Sequence, residues 1–186
     1  MTADSAPRRI DRQRRDRIIQ GVLDVIAEHG IEGLTHRRVA AAAAVPLSAT
    51  TYYFSSLEDM LAAAMIAVVE RDLAILRQRF AELPAAGSLA GPLAEIVVEA
   101  TGPGRRNSVV VVELHTAALR REQLRDIAVG WERSWHELLA PRVGDIAAGA
   151  VSAAVAWLVN GALLDGRQVA WSEAEAVLRH VLREPS

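Results

Sequence analysis

The chain has 186 residues, is 51% hydrophobic and carries a formal charge of −2 at pH 7, which fits one compact domain or two small ones sharing a core and excludes global disorder. It contains no cysteine, so disulfide scaffolds, thiolate metal sites and cysteine nucleophiles are excluded. The first 17 residues hold six arginines and no apolar run, so no secretory signal is read there and the cytoplasm is the expected compartment.

Charge is spread unevenly. Residues 1–55 hold 8 Arg against 6 Asp or Glu, and residues 56–186 hold 13 Arg against 17. Lysine is absent, so the cationic side chains are guanidinium groups, which suit phosphate contacts. The basic end comprises Arg8, Arg9, Arg12, Arg14, Arg15 and Arg17, and residues 1–10 are read as a flexible basic arm.

In chain order the pattern is helical, with almost no strand signal. From Asp11 to His29, Ile18, Val22, Val25 and Ile26 form a helical stripe, and Gly30 and Gly33 punctuate its end. Thr35 suits the N-cap of a short helix from His36 to about Ala43. After a break at Ala44-Val45-Pro46, a third short helix fits Leu47 to Phe54. Ser55 with Glu58 reads as a capping box for a long helix from about Leu57 to Leu83. Further helices are expected at 88–101, 107–119 and 122–140, the last two ended by Pro141 and Gly144, and then at 145–165. Ser172 with Glu175 caps a final helix to about Leu182. Val109–Val112 is β-branched, yet its flanks favour helix. Ile146–Leu164 is 19 residues without a charge, long enough to span a bilayer. About half of it is Ala, Gly or Ser, so a buried or interface helix is expected and no membrane partner.

Catalytic signals are weak. His136-Glu137-Leu138-Leu139-Ala140 begins like a zinc-protease motif, but Ala140 stands where the second histidine must be. There is no Gly-rich phosphate loop, so no catalytic residue, metal site or cofactor is expected.

The N-terminal third carries more. Two short helices separated by a tight break, after a longer helix, make a helix-turn-helix whose second short helix enters the major groove. Ser48, Thr50, Thr51, Tyr52 and Tyr53 offer hydroxyls for base edges and phosphates, and Ala49 offers a methyl for thymine.

Gly30-Ile31-Glu32-Gly33-Leu34-Thr35, Val39-Ala40, the run from Ala43 to Phe54, and Ser56-Leu57-Glu58-Asp59-Met60-Leu61 together resemble the TetR/AcrR-type transcriptional regulators. The likeness covers about residues 11–61. It implies an all-α chain of nine helices: a three-helix DNA-binding domain at 11–56 and a six-helix ligand-binding and dimerisation domain at 57–186. Three positions depart from the family pattern. Ala44 stands at the usual turn glycine, Pro46 at the usual serine cap, and Leu57 at a common phosphate-contacting lysine.

The expected DNA-contacting set is Arg8, Arg9, Arg12, Thr35, Arg37, Ser48, Ala49, Thr50, Thr51, Tyr52 and Tyr53. The resemblance implies a small apolar or amphipathic effector held between residues 88 and 165, for which His115, Trp131, Trp135, Trp157 and Asn160 are the candidate contacts. It also implies a homodimer through helices 145–165 and 172–182, and release from a palindromic double-stranded operator. The alternative is an all-helical small-molecule-binding or catalytic protein that does not act on DNA; the basic arm and hydroxyl-rich third helix weigh against it.

Overall fold

The computed structural model describes residues 5–84 and 87–183, with side chains from residue 11 onward. Among the described residues there are nine α-helices and no strand: α1 (Ser5–His29), α2 (His36–Ala42), α3 (Leu47–Tyr53), α4 (Leu57–Ala81), α5 (Ala90–Thr101), α6 (Arg105–Ala118), α7 (Glu122–Val143), α8 (Asp145–Asp165) and α9 (Trp171–Leu182). A 3₁₀ turn at Ile31–Gly33 follows α1. Contacts divide the chain into two units. The first runs up to Val68 and adds Glu113–Ile127; the second holds Val69–Val112 and the chain from Ala128. The helices α4, α6 and α7 each run through both.

In the first unit the periodic stripe of α1 forms the core: Ile18, Val22, Val25 and Ile26 are all buried. Helix α2 packs on α1 and on α3. Thr35 caps α2 by accepting the Arg38 amide at 3.2 Å. The turn after α2 puts Ala44 at φ 50, a left-handed conformation that crowds the alanine Cβ against its own backbone. Ala44→Gly should relieve that crowding. Net of the extra freedom glycine gives the unfolded chain, the unfolding midpoint should rise by about 2–4 °C in a thermal melt.

In the second unit α5 packs on α8 and α9, and α8 on α9. Leu89, Leu93, Val97, Leu139, Val151, Leu158 and Leu178 lie in one buried cluster. Arg142 near the end of α7 donates to the Phe80 carbonyl at 2.8 Å and stacks over the Phe80 ring, satisfying the orphan C-terminus of α4. Helix α8 ends where Gly166 turns left-handed at φ 70, with the Arg167 amide bonded back to the Ala162 carbonyl at 3.1 Å.

Several boundaries differ from the sequence reading. Helix α1 starts at Ser5, so most of the supposed arm continues the helix; residues 1–4 lie outside the described residues. Pro141 sits inside the last turn of α7 and does not end it; Gly144, at φ 82, does. The α4 cap is shifted by one residue. Ser56 Oγ accepts the Asp59 amide at 3.0 Å, and Ser55 donates to the Asp59 carboxylate. Both serines hold the Asp59 carboxyl below its ordinary value by bonding its charged form. Ser172 lies within α9, whose N-cap is Ala170.

One side of α8 faces inward through Ala148, Val151, Val155, Leu158 and Ala162. The opposite side carries Ile146, Trp157 and Leu164 at 92%, 67% and 88% exposure, with exposed Gly149, Ala153 and Ala156 between them. By length and composition α8 could cross a membrane, but its inner side is spent on α5 and α9.

Candidate nucleic-acid interface and effector cavity

The first unit sorts the expected DNA contacts by exposure. Arg12, Thr35, Arg37, Ser48, Thr51 and Tyr52 are exposed, with Tyr52 at 78%. The Thr35 hydroxyl accepts the Arg38 amide and keeps its own proton to donate to a phosphate. Arg38 is tied into the 3₁₀ turn, donating to the Gly33 carbonyl at 2.7 Å. Arg14, Arg15 and Arg17 are also exposed in the N-terminal part of α1, and Arg15 stacks over Phe54 at 5.4 Å. The side chains of Arg8 and Arg9 lie outside the described residues.

Three expected contacts are placed otherwise. Thr50 is fully buried. Its hydroxyl donates to the Leu47 carbonyl at 2.7 Å and lies 3.1 Å from His36 Nδ1. With its proton so used, the hydroxyl accepts from an imidazole Nδ1–H, which pins α3 to α2. Tyr53 donates its hydroxyl to Asp11 on α1. That bond holds the phenol proton more tightly than usual and makes Tyr53 a strut between α1 and α3. Ala49 is half-buried. Replacing Thr50 by valine should therefore cost about 1–3 kcal/mol, since it strands a buried donor and acceptor. Thr51→Val should stay within about 0.5 kcal/mol of the parent. Denaturant titration of the two variants separates the roles.

The second unit holds a cavity of about 320 Å³. Helix α4 lines it with Arg71, Asp72, Ile75, Leu76 and Arg79, α5 with Ile96, Glu99 and Ala100, and α7 with Trp131 and Trp135. Gly104, Asn107 and Ser108, before and within the first turns of α6, complete the lining. The two indoles stand one turn apart on one face of α7. Charges of both signs border the apolar space. Arg71 lies 3.2 Å from Asp72, and Arg79 lies 3.0 Å from Glu95. Burial pushes the Asp72 carboxyl above the ordinary aspartate value, against the pull of Arg71.

The structure does not bring the other effector candidates here. Trp157 and Asn160 lie on the exposed side of α8, because the 3.6-residue period gives the inner side to Val155, Leu158 and Ala162. His115 belongs to the first unit. Conversely, α4 supplies much of the lining although it precedes the span from which the sequence reading draws the effector site. Within α4 the lining charges Arg71, Asp72 and Arg79 follow the uncharged run Met60–Val69.

A TetR family member from Streptomyces coelicolor A3 is 35% identical to this chain with a TM-score of 0.83, over 93% of this chain and 99% of that one. The multidrug binding protein EbrR, complexed with imidazole, is 34% identical with a TM-score of 0.81 over 100% of this chain and 98% of its own. Its ethidium complex gives 35% and 0.77 over 93% and 99%. The HTH-type transcriptional regulator PksA of Bacillus subtilis (strain 168) is 39% identical over 66 residues, which span 35% of this chain and 32% of that protein. No family model matches the chain. With 35% of the aligned residues identical over 93% of this chain and 99% of a TetR family structure, and nine helices in the described residues, the chain belongs to the TetR family of transcriptional regulators.

Proposed function

We propose that the protein is a cytoplasmic, homodimeric repressor that binds a palindromic operator and leaves it when an amphipathic aromatic molecule fills the cavity of the second unit. The observation that carries the DNA reading is the exposed row Ser48, Thr51 and Tyr52 on a helix pinned to α2 through Thr50. Exposed Arg12, Arg14, Arg15 and Arg17 supply phosphate contacts. For the effector, the paired indoles and the partly buried Asp72 favour a flat aromatic cation. EbrR, a relative, is known in complexes with ethidium, proflavin and malachite green, all aromatic cations.

The test is a titration of the full chain with duplex from its own upstream region. Neutralising about 6–10 phosphates should weaken binding roughly 10³- to 10⁵-fold between 50 and 200 mM salt. A genuine palindromic site whose affinity barely changes over that range would remove the electrostatic part of the reading. Malachite green should quench Trp131 and Trp135. Its affinity should rise with pH across the Asp72 titration, because the bound cation favours the charged carboxylate. Binding free energies are reciprocal, so operator must weaken the dye by the factor with which the dye weakens operator. Equal dye affinity for free and operator-bound protein would sink release.

A further inference from the structure

We propose that Asp11 is a counter-charge to the phosphate backbone: it takes the Tyr53 hydroxyl and sets a carboxylate beside the recognition helix, and so holds affinity for every duplex below what the arginines of α1 would reach. It rests on the DNA reading and deepens it.

The contact joins α1 to the end of α3. Tyr53 Oη donates to Asp11 Oδ1. One turn further along α1, on the same face, the Arg15 guanidinium lies 5.4 Å over the Phe54 ring. Asp11 and Arg15 thus meet successive residues where α3 ends. Asp11 is exposed, as are Arg12 and Arg14 near it in α1. The Tyr53 ring meets Tyr52 edge-on at 5.0 Å, and Tyr52 belongs with Ser48 and Thr51 to the exposed row read as facing DNA.

A strut between α1 and α3 requires an acceptor but no charge, and an asparagine carbonyl would accept the same phenol proton. The carboxylate adds two consequences for a phosphate approaching α3. The first concerns the proton. A phenol has one, and while Asp11 takes it the hydroxyl cannot donate to a phosphate oxygen, which only accepts. Asp11 also holds that proton more tightly than usual, chiefly through the hydrogen bond. The second is repulsion between carboxylate and phosphate. Residues 8–17 carry six arginines against two aspartates, and Asp11 is the aspartate bonded to the recognition helix. Both consequences act on the DNA backbone, which carries no sequence information directly. Asp11 therefore lowers affinity without changing which sequence is preferred.

The experiment titrates the full chain against two duplexes of equal length, one from its own upstream region and one of random sequence, from 50 to 200 mM salt. Asp11→Asn keeps an oxygen acceptor for Tyr53 and removes the charge. Its affinity for both duplexes should rise about tenfold, with their ratio kept within about twofold. The slope of log affinity against log salt should steepen by about 0.9, as for one more neutralised phosphate. Asp11→Gln, a second neutral acceptor, should give the same gain. Adding Tyr53→Phe to Asp11→Asn should cut the gain to about threefold, because the freed hydroxyl is then missing. A merely structural Asp11 predicts that Asp11→Asn binds like the parent at every salt concentration, since the strut persists, and that result overturns the proposal. So does a gain confined to one of the two duplexes. A parent chain that binds neither duplex at 50 mM salt removes the DNA reading and this proposal together, whereas parent binding that Asp11→Asn leaves unchanged removes only the proposal.

Discussion

Ala153→Arg is expected to convert the protein to monomers and to lower its affinity for a full inverted repeat by about 10²- to 10⁴-fold, the gain that linked half-site binding supplies. Ala153 is at the middle of the exposed α8 face, between Gly149 and Ala156, with Ile146, Trp157 and Leu164 along the same side. Soluble monomers rarely leave so continuous an apolar strip in water. The small residues at its centre allow two helices to approach closely, and a guanidinium placed there would have to be buried unpaired. Sedimentation reads the assembly, and titration against a half-site and a full site separates the effects. Half-site affinity should stay within about threefold of the parent, since each recognition helix is intact. An unaltered dimer on sedimentation would move the interface away from α8.

What the sequence disclosed follows from where periodicity and chemistry agreed. Helix α8 was readable to the residue because Gly144 and Gly166 bracket it and both adopt positive φ. The buried stripe of α1 follows from apolar spacing alone. The β-branched run Val109–Val112 is helical within α6, as its flanks required. Adjacent polar residues were harder. Ser55 and Ser56 both suit a cap, and only the backbone path decides that Ser56 takes it. Thr50 and Thr51 look alike as hydroxyl donors, but Phe54 is buried and Thr50 precedes it by four residues, on the same face. That spacing was the available sign that Thr50 packs while Thr51 faces out. The cavity was half legible. Trp131 and Trp135 share a face by spacing, but nothing local shows that α4 folds alongside them. Trp157 misled because an indole in an uncharged helix reads as lining, whereas here it belongs to the outward side of α8.

Gly21→Leu is expected to destabilise the first unit by about 3 kcal/mol, the upper range for overpacking a close contact, and to abolish operator binding. At the crossing of α1 and α2, a Cβ on Gly21 would stand 3.0 Å from Ala43 Cβ, 3.0 Å from the Ala43 amide nitrogen and 3.1 Å from the Val39 carbonyl oxygen. Two of those atoms are backbone and cannot swing aside, so accommodation requires the helices to part. Parting them moves α2, and α3 moves with it through His36 and Thr50. Gly21→Ala adds a single methyl. It gains about 1 kcal/mol of helix propensity but still forces the Ala43 contact, so it should fall between parent and leucine variant and be destabilising. Amide exchange gives the reading that matters. Protection through α1, α2 and α3 should drop in step with side-chain size, while the amides of α5, α8 and α9 keep theirs. A leucine variant that melts with the parent would mean that α1 and α2 do not cross as closely as Gly21 allows.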